Sequence, residues 1–189
     1  MRKYKKLIIF IVSVGVVLAT GYTVPKTGLN SAKVIETNTP PGAYKIVTVY
    51  DGDTFSVNMD GRVEKVRLIG VDTPETHKPN SPVECFGETA SNYSKSVLNG
   101  QSVRLESDPI NQNRDRYQRL LRYAYTSDGT LFNKKLIDEG YGFAYLSFPF
   151  TKADEFRQAQ TAARQANKGL WAGECKIQDQ NGRNKTNAL

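Results

Sequence analysis

The sequence predicts an α+β domain, on three observations. Five short segments rich in β-branched and aromatic residues lie between residues 44 and 126, bounded by turns containing Gly, Asp and Asn. Three longer segments with helical periodicity lie between or after them, each followed by a glycine. Hydrophobic residues make up 39% of 189, with 10 Tyr, 8 Phe and one Trp, which suffices for one packed core and not for two independent large ones.

From the N-terminus, Arg2, Lys3, Lys5 and Lys6 precede the apolar run Leu7–Ala19, and small residues follow at Ala19 and Gly21. This is the pattern of a secretory signal. A permanent span needs roughly 18–20 apolar residues, so residues 1–22 are expected to be an export signal, with a retained N-terminal anchor as the alternative. An uncleaved leader would be the protein's membrane contact. The product would be secreted or associated with the cell envelope. Residues 23–42, rich in Thr, Asn, Pro and Gly, are expected to be a flexible linker, 43–175 the folded unit, and 176–189 a polar, mobile tail.

Within the folded unit, Tyr44–Tyr50 and Thr54–Met59 flank Asp51-Gly52-Asp53, and Asp60-Gly61 is a hairpin turn before Val63–Val71. Ser102–Glu106 and Leu120–Thr126 complete the strands. Helices are expected over Glu88–Leu98, Leu131–Glu139 and Lys152–Asn167, the last with Thr151 and Asp154 in a capping-box-like relation. A five-stranded OB-type Greek-key β-barrel with about three helices is the architecture that fits.

One His and two Cys exclude a two-histidine mechanism and a four-ligand Cys/His zinc centre. No G-x-x-x-x-G-K-[ST] or G-x-G-x-x-G segment is present. Of the net charge of +7, four lie in residues 1–6, one in 23–42 and two in 176–189, so 43–175 is balanced. Attraction to a polyanion must therefore come from local placement. Cys85 and Cys175 are expected to pair in an oxidising compartment, closing a loop of about 90 residues; two separate buried thiols are the alternative.

Charged groups collect where a regular core pattern does not ask for them. Asp53 opens a strand, Asp72-Thr73-Pro74-Glu75 ends the strand carrying Arg67, and Arg119 precedes Leu120. Oxygen ligands such as Asp53 and Asp72 suit a hard cation, Ca²⁺ or Mg²⁺, and the guanidinium fork suits phosphate. Each element alone has an ordinary alternative: a turn for Asp51-Gly52-Asp53, an Asx turn for Asp72, a solvated face for Arg67, Arg114, Arg116, Arg119 and Arg122. Strict alternation puts Arg67 and Asp72 on opposite strand faces, so they converge only if pairing breaks near Gly70.

The ordered segments VYDGDTFSV, VRLIGVDTPET, RDRYQRLLRYAY and GLW, spanning Val47 to Trp171, closely resemble the staphylococcal nuclease family. The resemblance implies an OB-fold barrel that hydrolyses DNA and RNA with Ca²⁺, cleaving at the bond to the 5′ oxygen and leaving 3′-phosphate ends. It implies metal ligation by Asp53, Asp72 and the Thr73 carbonyl, and catalytic roles for Arg67, Glu75 and Arg119. Arg116, Tyr117 and Tyr145 correspond to substrate contacts, Ser147 stands where a second tyrosine is expected, and Asp115 matches an acidic residue near the site. A buried position at the barrel edge is the alternative for Tyr117, and a turn role for Asp115. His77 is expected in an exposed loop, and Trp171 as a core anchor.

A non-catalytic OB-fold nucleic-acid or protein-binding module is the alternative function, and a structural calcium-binding envelope domain a third. Neither needs Arg67, Glu75 and Arg119 together around two metal-type aspartates. A monomer is the default state.

Overall fold

The β-branched and aromatic segments pair through their backbones into a closed barrel, because each has one face to bury and no free edge to spare. In chain order the elements are β1 (Ala43–Val49), β2 (Thr54–Met59), β3 (Arg62–Leu68), the two-residue β4 (Val71–Asp72), α1 (Gly87–Leu98), β5 (Ser102–Glu106) and β6 (Leu120–Tyr125). Then come α2 (Phe132–Asp138), β7 (Phe143–Ala144), α3 (Ala153–Gln165), a 3₁₀ turn over Gly169–Ala172, β8 (Ile177–Gln180) and β9 (Arg183–Thr186). This computed structural model describes residues 42–76, 82–180 and 182–189. The expected leader, the expected linker apart from Gly42, and His77 lie outside the described residues.

The barrel order is β1-β2-β3-β6-β5, closed by β5 against β1. Its pairs are antiparallel except β3 with β6, which run parallel with Val66 opposite Leu120. Val57, Val66, Leu68 and Val103 fill the interior, and α2 and α3 extend the core through Phe132, Leu136, Ile137 and Phe156. The expected α+β barrel with three helices is therefore present.

The segment expected as one strand over Val63–Val71 is two. Gly70 has φ +71°, and a Cβ there would lie 2.6 Å from Phe150 Cζ, so only glycine fits this sharp turn against α3's approach. Asn133, fully buried on α2, fixes the same break. Its Nδ2 donates to the carbonyls of Ile69 at 2.9 Å and Arg122 at 3.1 Å, while its Oδ1 accepts from the Ala124 N–H at 2.9 Å. One side chain thus satisfies backbone groups that the ladder abandons, and strict alternation no longer separates Arg67 from Asp72.

Two expectations are corrected. Thr151 does not cap α3: its N–H and hydroxyl both donate to Asp108 Oδ2, at 2.7 and 2.5 Å. The cap position, Lys152, has no side-chain cap bond. A buried carboxylate forty-three residues away outcompetes the local acceptor Asp154, because its own burial demands donors. Residues 176–189 are not a mobile tail. They form the β8–β9 hairpin, with Ile177 opposite Thr186. The hairpin is joined to the rest by the Cys85–Cys175 disulfide, and beyond it Leu189 N–H donates to the Val83 carbonyl at 2.9 Å. Hydrogen bonds and ion pairs, not apolar burial, hold this segment, so its polar composition gave no sign of order.

Asn133→Leu should destabilise the fold by about 3 kcal/mol, because it leaves core backbone groups unpaired; urea denaturation measures it. Asp108 offers a second test. Burial works to raise its carboxyl, but the Thr151 and Tyr123 hydroxyls and the Thr151 and Ile110 N–H groups outweigh that and hold it down at about 2. A carboxyl depressed in the folded state contributes stability above its unfolded value near pH 4, lost as pH falls through the folded value; the linkage is roughly 2 kcal/mol. Asp108→Asn should be less stable than wild type at neutral pH, with the gap narrowing toward about pH 2.

Candidate active site

The β1–β2 turn delivers Asp53. Its N–H donates to Asp51 Oδ1 at 3.0 Å, an Asx turn, and the Gly52 carbonyl accepts from Ser94 Oγ of α1 at 2.7 Å. Gly52 is required by proximity: a Cβ there would stand 2.6 Å from Thr73 Cγ2. The turn therefore packs directly on the chain following β4. Asp53 Oδ2 accepts from the Thr73 N–H at 2.9 Å and the Thr73 hydroxyl at 3.2 Å, and Oδ1 accepts from Thr54 Oγ1 at 3.0 Å. Register does the rest. Thr54 lies opposite Arg67, so Asp53 Oδ1 comes to 3.1 Å from Arg67 Nε.

Arg67 is the hub. Nη1 donates to the carbonyls of Leu68 at 2.9 Å and Val71 at 2.6 Å, and Nη2 donates to Asp72 Oδ1 at 3.0 Å. Of its five N–H donors, four face protein acceptors. Asp53 and Asp72 are thus gathered on one guanidinium. Burial opposes the Arg67 charge, but the charges of Asp53 and Asp72 more than compensate and raise its pKa. Burial raises Asp72 against the pull of Arg67 and Arg183.

Three participants were not expected. Arg183 of β9 grips both oxygens of Asp72, Nε on Oδ2 and Nη2 on Oδ1, each at 2.7 Å. Asp51 belongs to the same cluster: burial, then the Asp53 charge, push its carboxyl up to about 7, with Glu75 adding to the repulsion. Glu84 accepts from the Glu75 N–H at 3.1 Å and from Lys185 Nζ at 3.2 Å, and its own N–H donates to the Glu75 carbonyl at 2.9 Å, clamping the loop that carries Glu75. The Asp-Gly-Asp turn carried a signal for Asp51. Arg183 had none, since Asp72 lies 111 residues away, and Glu84 had none, since its cation Lys185 lies 101 residues away and its contact with Glu75 needs the loop between them to fold back.

Arg119 stands at the start of β6, whose Leu120 is opposite Val66 of β3. Its Nε donates to Asp115 Oδ2 at 2.6 Å, and Asp115 Oδ1 also accepts the N–H groups of Tyr117 and Arg119. Asp115 is therefore both turn former and holder of Arg119. Tyr117 is 64% exposed, which excludes a buried barrel-edge role. Its hydroxyl accepts from Arg116 Nη2 at 2.7 Å, and its ring lies 5.4 Å from the Arg119 guanidinium carbon. Tyr145, whose N–H donates to the Gly70 carbonyl, packs edge-on against exposed Phe148 and carries the Arg183 guanidinium 5.2 Å over its ring. Trp171, expected as a core anchor, is partly buried: its ring packs edge-on against Phe143 of β7 and faces the Arg164 guanidinium of α3 at 5.6 Å. Asp53 contacts Arg67 and Thr73, and Arg67 contacts Asp72, whereas Arg119 contacts Asp115 and Tyr117.

Among the described residues no group of three or more His, Cys, Asp or Glu side chains is gathered closely enough to hold a metal alone. Two buried carboxylates thus share one buried guanidinium where the β1–β2 turn meets the chain after β3 of a five-stranded barrel. The family described as staphylococcal nuclease homologue matches residues 65–173, a span containing Arg67, Asp72, Glu75 and Arg119. A thermonuclease of Staphylococcus hyicus is 39% identical over 173 residues, covering 91% of this chain and 99% of that protein. A thermonuclease of Staphylococcus intermedius is 44% identical over 133 residues, 68% of this chain and 76% of that protein. Endonuclease YncB of Bacillus subtilis is 41% identical over 124 residues, 65% of this chain and 58% of that protein. The chain belongs to the staphylococcal nuclease family.

Arg67→Met should cost about 3–5 kcal/mol, since it leaves buried carboxylates unpaired. Arg119→Ala, whose ion pair is partly exposed, should cost under about 1 kcal/mol. Urea denaturation of both, in chelator, makes the comparison.

Proposed function

We propose that this family hydrolase of phosphodiester bonds is an exported, Ca²⁺-dependent nuclease of DNA and RNA, cleaving on the 5′-oxygen side and leaving 3′-phosphate ends. The observation that carries it is the gathering of Asp53 and Asp72 on the Arg67 guanidinium, with Asp51 and Glu75 near enough to repel. The donors are all oxygen, and burial, then the charge of Asp53, lifts Asp51 to about 7. That chemistry fits a hard divalent cation completed by carbonyls and water. Asp53, Asp72 and the Thr73 carbonyl would hold it. When bound, Ca²⁺ polarises a phosphate oxygen and lowers the pKa of a water.

The chain's own residues do the rest. Glu75, held by Glu84, orients the attacking water and accepts its proton at a carboxylate oxygen. Arg67 and Arg119 neutralise phosphate oxygens as charge grows in the five-coordinate transition state; among the described residues, one Nη2 hydrogen of Arg67 and both terminal nitrogens of Arg119 have no hydrogen-bond acceptor. Arg116 and Tyr117 receive a neighbouring phosphate, and Tyr145 a base. Stacking needs only a π-face, which suits a sugar-nonspecific substrate. Export is supported by the leader pattern and by the disulfide, which belongs to an oxidising compartment.

The full chain incubated with denatured DNA or RNA should cleave both with Ca²⁺ and neither in chelator. The ends should resist polymerase extension until treated with phosphatase. Glu75→Gln and Arg119→Ala should each lower kcat by about 10²–10³ with smaller changes in KM. Folded protein without Ca²⁺-dependent cleavage would instead be the non-catalytic binding module.

A further inference from the structure

The C-terminal hairpin brings a cation to the carboxylate cluster. It is tethered on both sides. The Cys85–Cys175 disulfide anchors the chain just before β8. After β9 turns back, Thr186 Oγ1 donates to the Cys85 carbonyl at 2.8 Å, and the Cys85 N–H donates to the Asn187 carbonyl at 2.8 Å. Lys185 adds its ion pair to Glu84. Arg183, at the start of β9, is thereby held over Asp72.

The two guanidiniums on Asp72 are not equivalent. Arg67 is held by two carbonyls and two carboxylates, and its side chain is 13% exposed. Arg183 has one carboxylate and one aromatic face, and its side chain is 41% exposed. Yet the Arg183 fork engages both Asp72 oxygens, the geometry that gives a guanidinium its strongest hold on a carboxylate. A cation entering the cluster must share those oxygens with Arg183 or displace it, and Arg183 is the one with less to lose.

We propose that Arg183 is a built-in competitor for the cation site: the hairpin seats it on Asp72, and Ca²⁺ loads only as it gives way. The hairpin would then set the Ca²⁺ concentration at which the site fills. This inference rests on assigning Ca²⁺ to Asp53 and Asp72.

Calorimetric titration of Ca²⁺ into the substrate-free full chain tests it without an activity readout. Arg183→Ala should bind Ca²⁺ about five- to tenfold more tightly than wild type, having lost both a competitor and a repelling charge. Arg183→Lys, which keeps the charge and loses the fork, should fall between. Circular dichroism and a melting curve verify folding; should the alanine variant fail to fold, the lysine variant carries the comparison. Unchanged affinity in Arg183→Ala overturns the proposal. Weaker binding also overturns it, since Arg183 would then orient Asp72 for the ion. Both of those outcomes leave the calcium assignment standing. Absence of binding in every variant, or full binding by Asp72→Asn, removes the calcium assignment and the competitor with it.

Discussion

The site depends on one buried cation shared by acidic groups from different strands. Arg67 is 13% exposed, and burying a guanidinium costs several kcal/mol unless its donors are used. Here Asp53 precedes β2, Asp72 ends β4, and the Leu68 and Val71 carbonyls flank the intervening turn. The same side chain that neutralises the carboxylates therefore also closes the chain's path between β3 and β4. Remove its charge and the turn loses its acceptors' partner; move the turn and the carboxylates separate.

That arrangement needs the backbone to leave its ladder at chosen places, and distant side chains hold those departures. Gly70 permits the turn after β3, and Asn133 on α2 satisfies the groups the turn exposes. Gly52 allows the β1–β2 turn to lie on Thr73, and Ser94 on α1 takes its carbonyl. The helices are thus more than a cover for the barrel. α1 and α2 each send one polar, fully or nearly buried side chain to a turn next to a carboxylate. Regular pairing gives the barrel its stability, and the interruptions give the site its geometry.

This division explains what was legible in the sequence. Strands and helices follow from periodicity and turn residues, both local, so the five barrel strands and three helices fall within a residue or two of expectation, apart from the division after Leu68. Asp53, Arg67 and Asp72 stood out as charges in a β context. Asp51 looked like ordinary turn chemistry because its strained ionisation comes from burial and neighbours, which the sequence does not display. Asn133 and Asp108 carried no signal in the sequence, because their partners are backbone groups and hydroxyls far along the chain. The hairpin was misjudged for the same reason: its order comes from Asp72, Glu84 and Cys85, about 90 to 111 residues away.

Charge separation accounts for the surface around the site. Residues 43–175 are balanced in number, yet the acidic groups Asp53 and Asp72 are buried whereas Arg116 is exposed and Arg119 partly so. Buried charges are compensated at short range by Arg67 and Arg183, so they contribute little to the field felt by an approaching polyanion. The exposed arginines are less fully compensated, and they border an exposed tyrosine that offers a base a flat partner. Residues 43–175 carry no net charge, yet around the site the carboxylates of Asp53 and Asp72 are buried while Arg116 stands exposed, so local placement and not the total sets the field there.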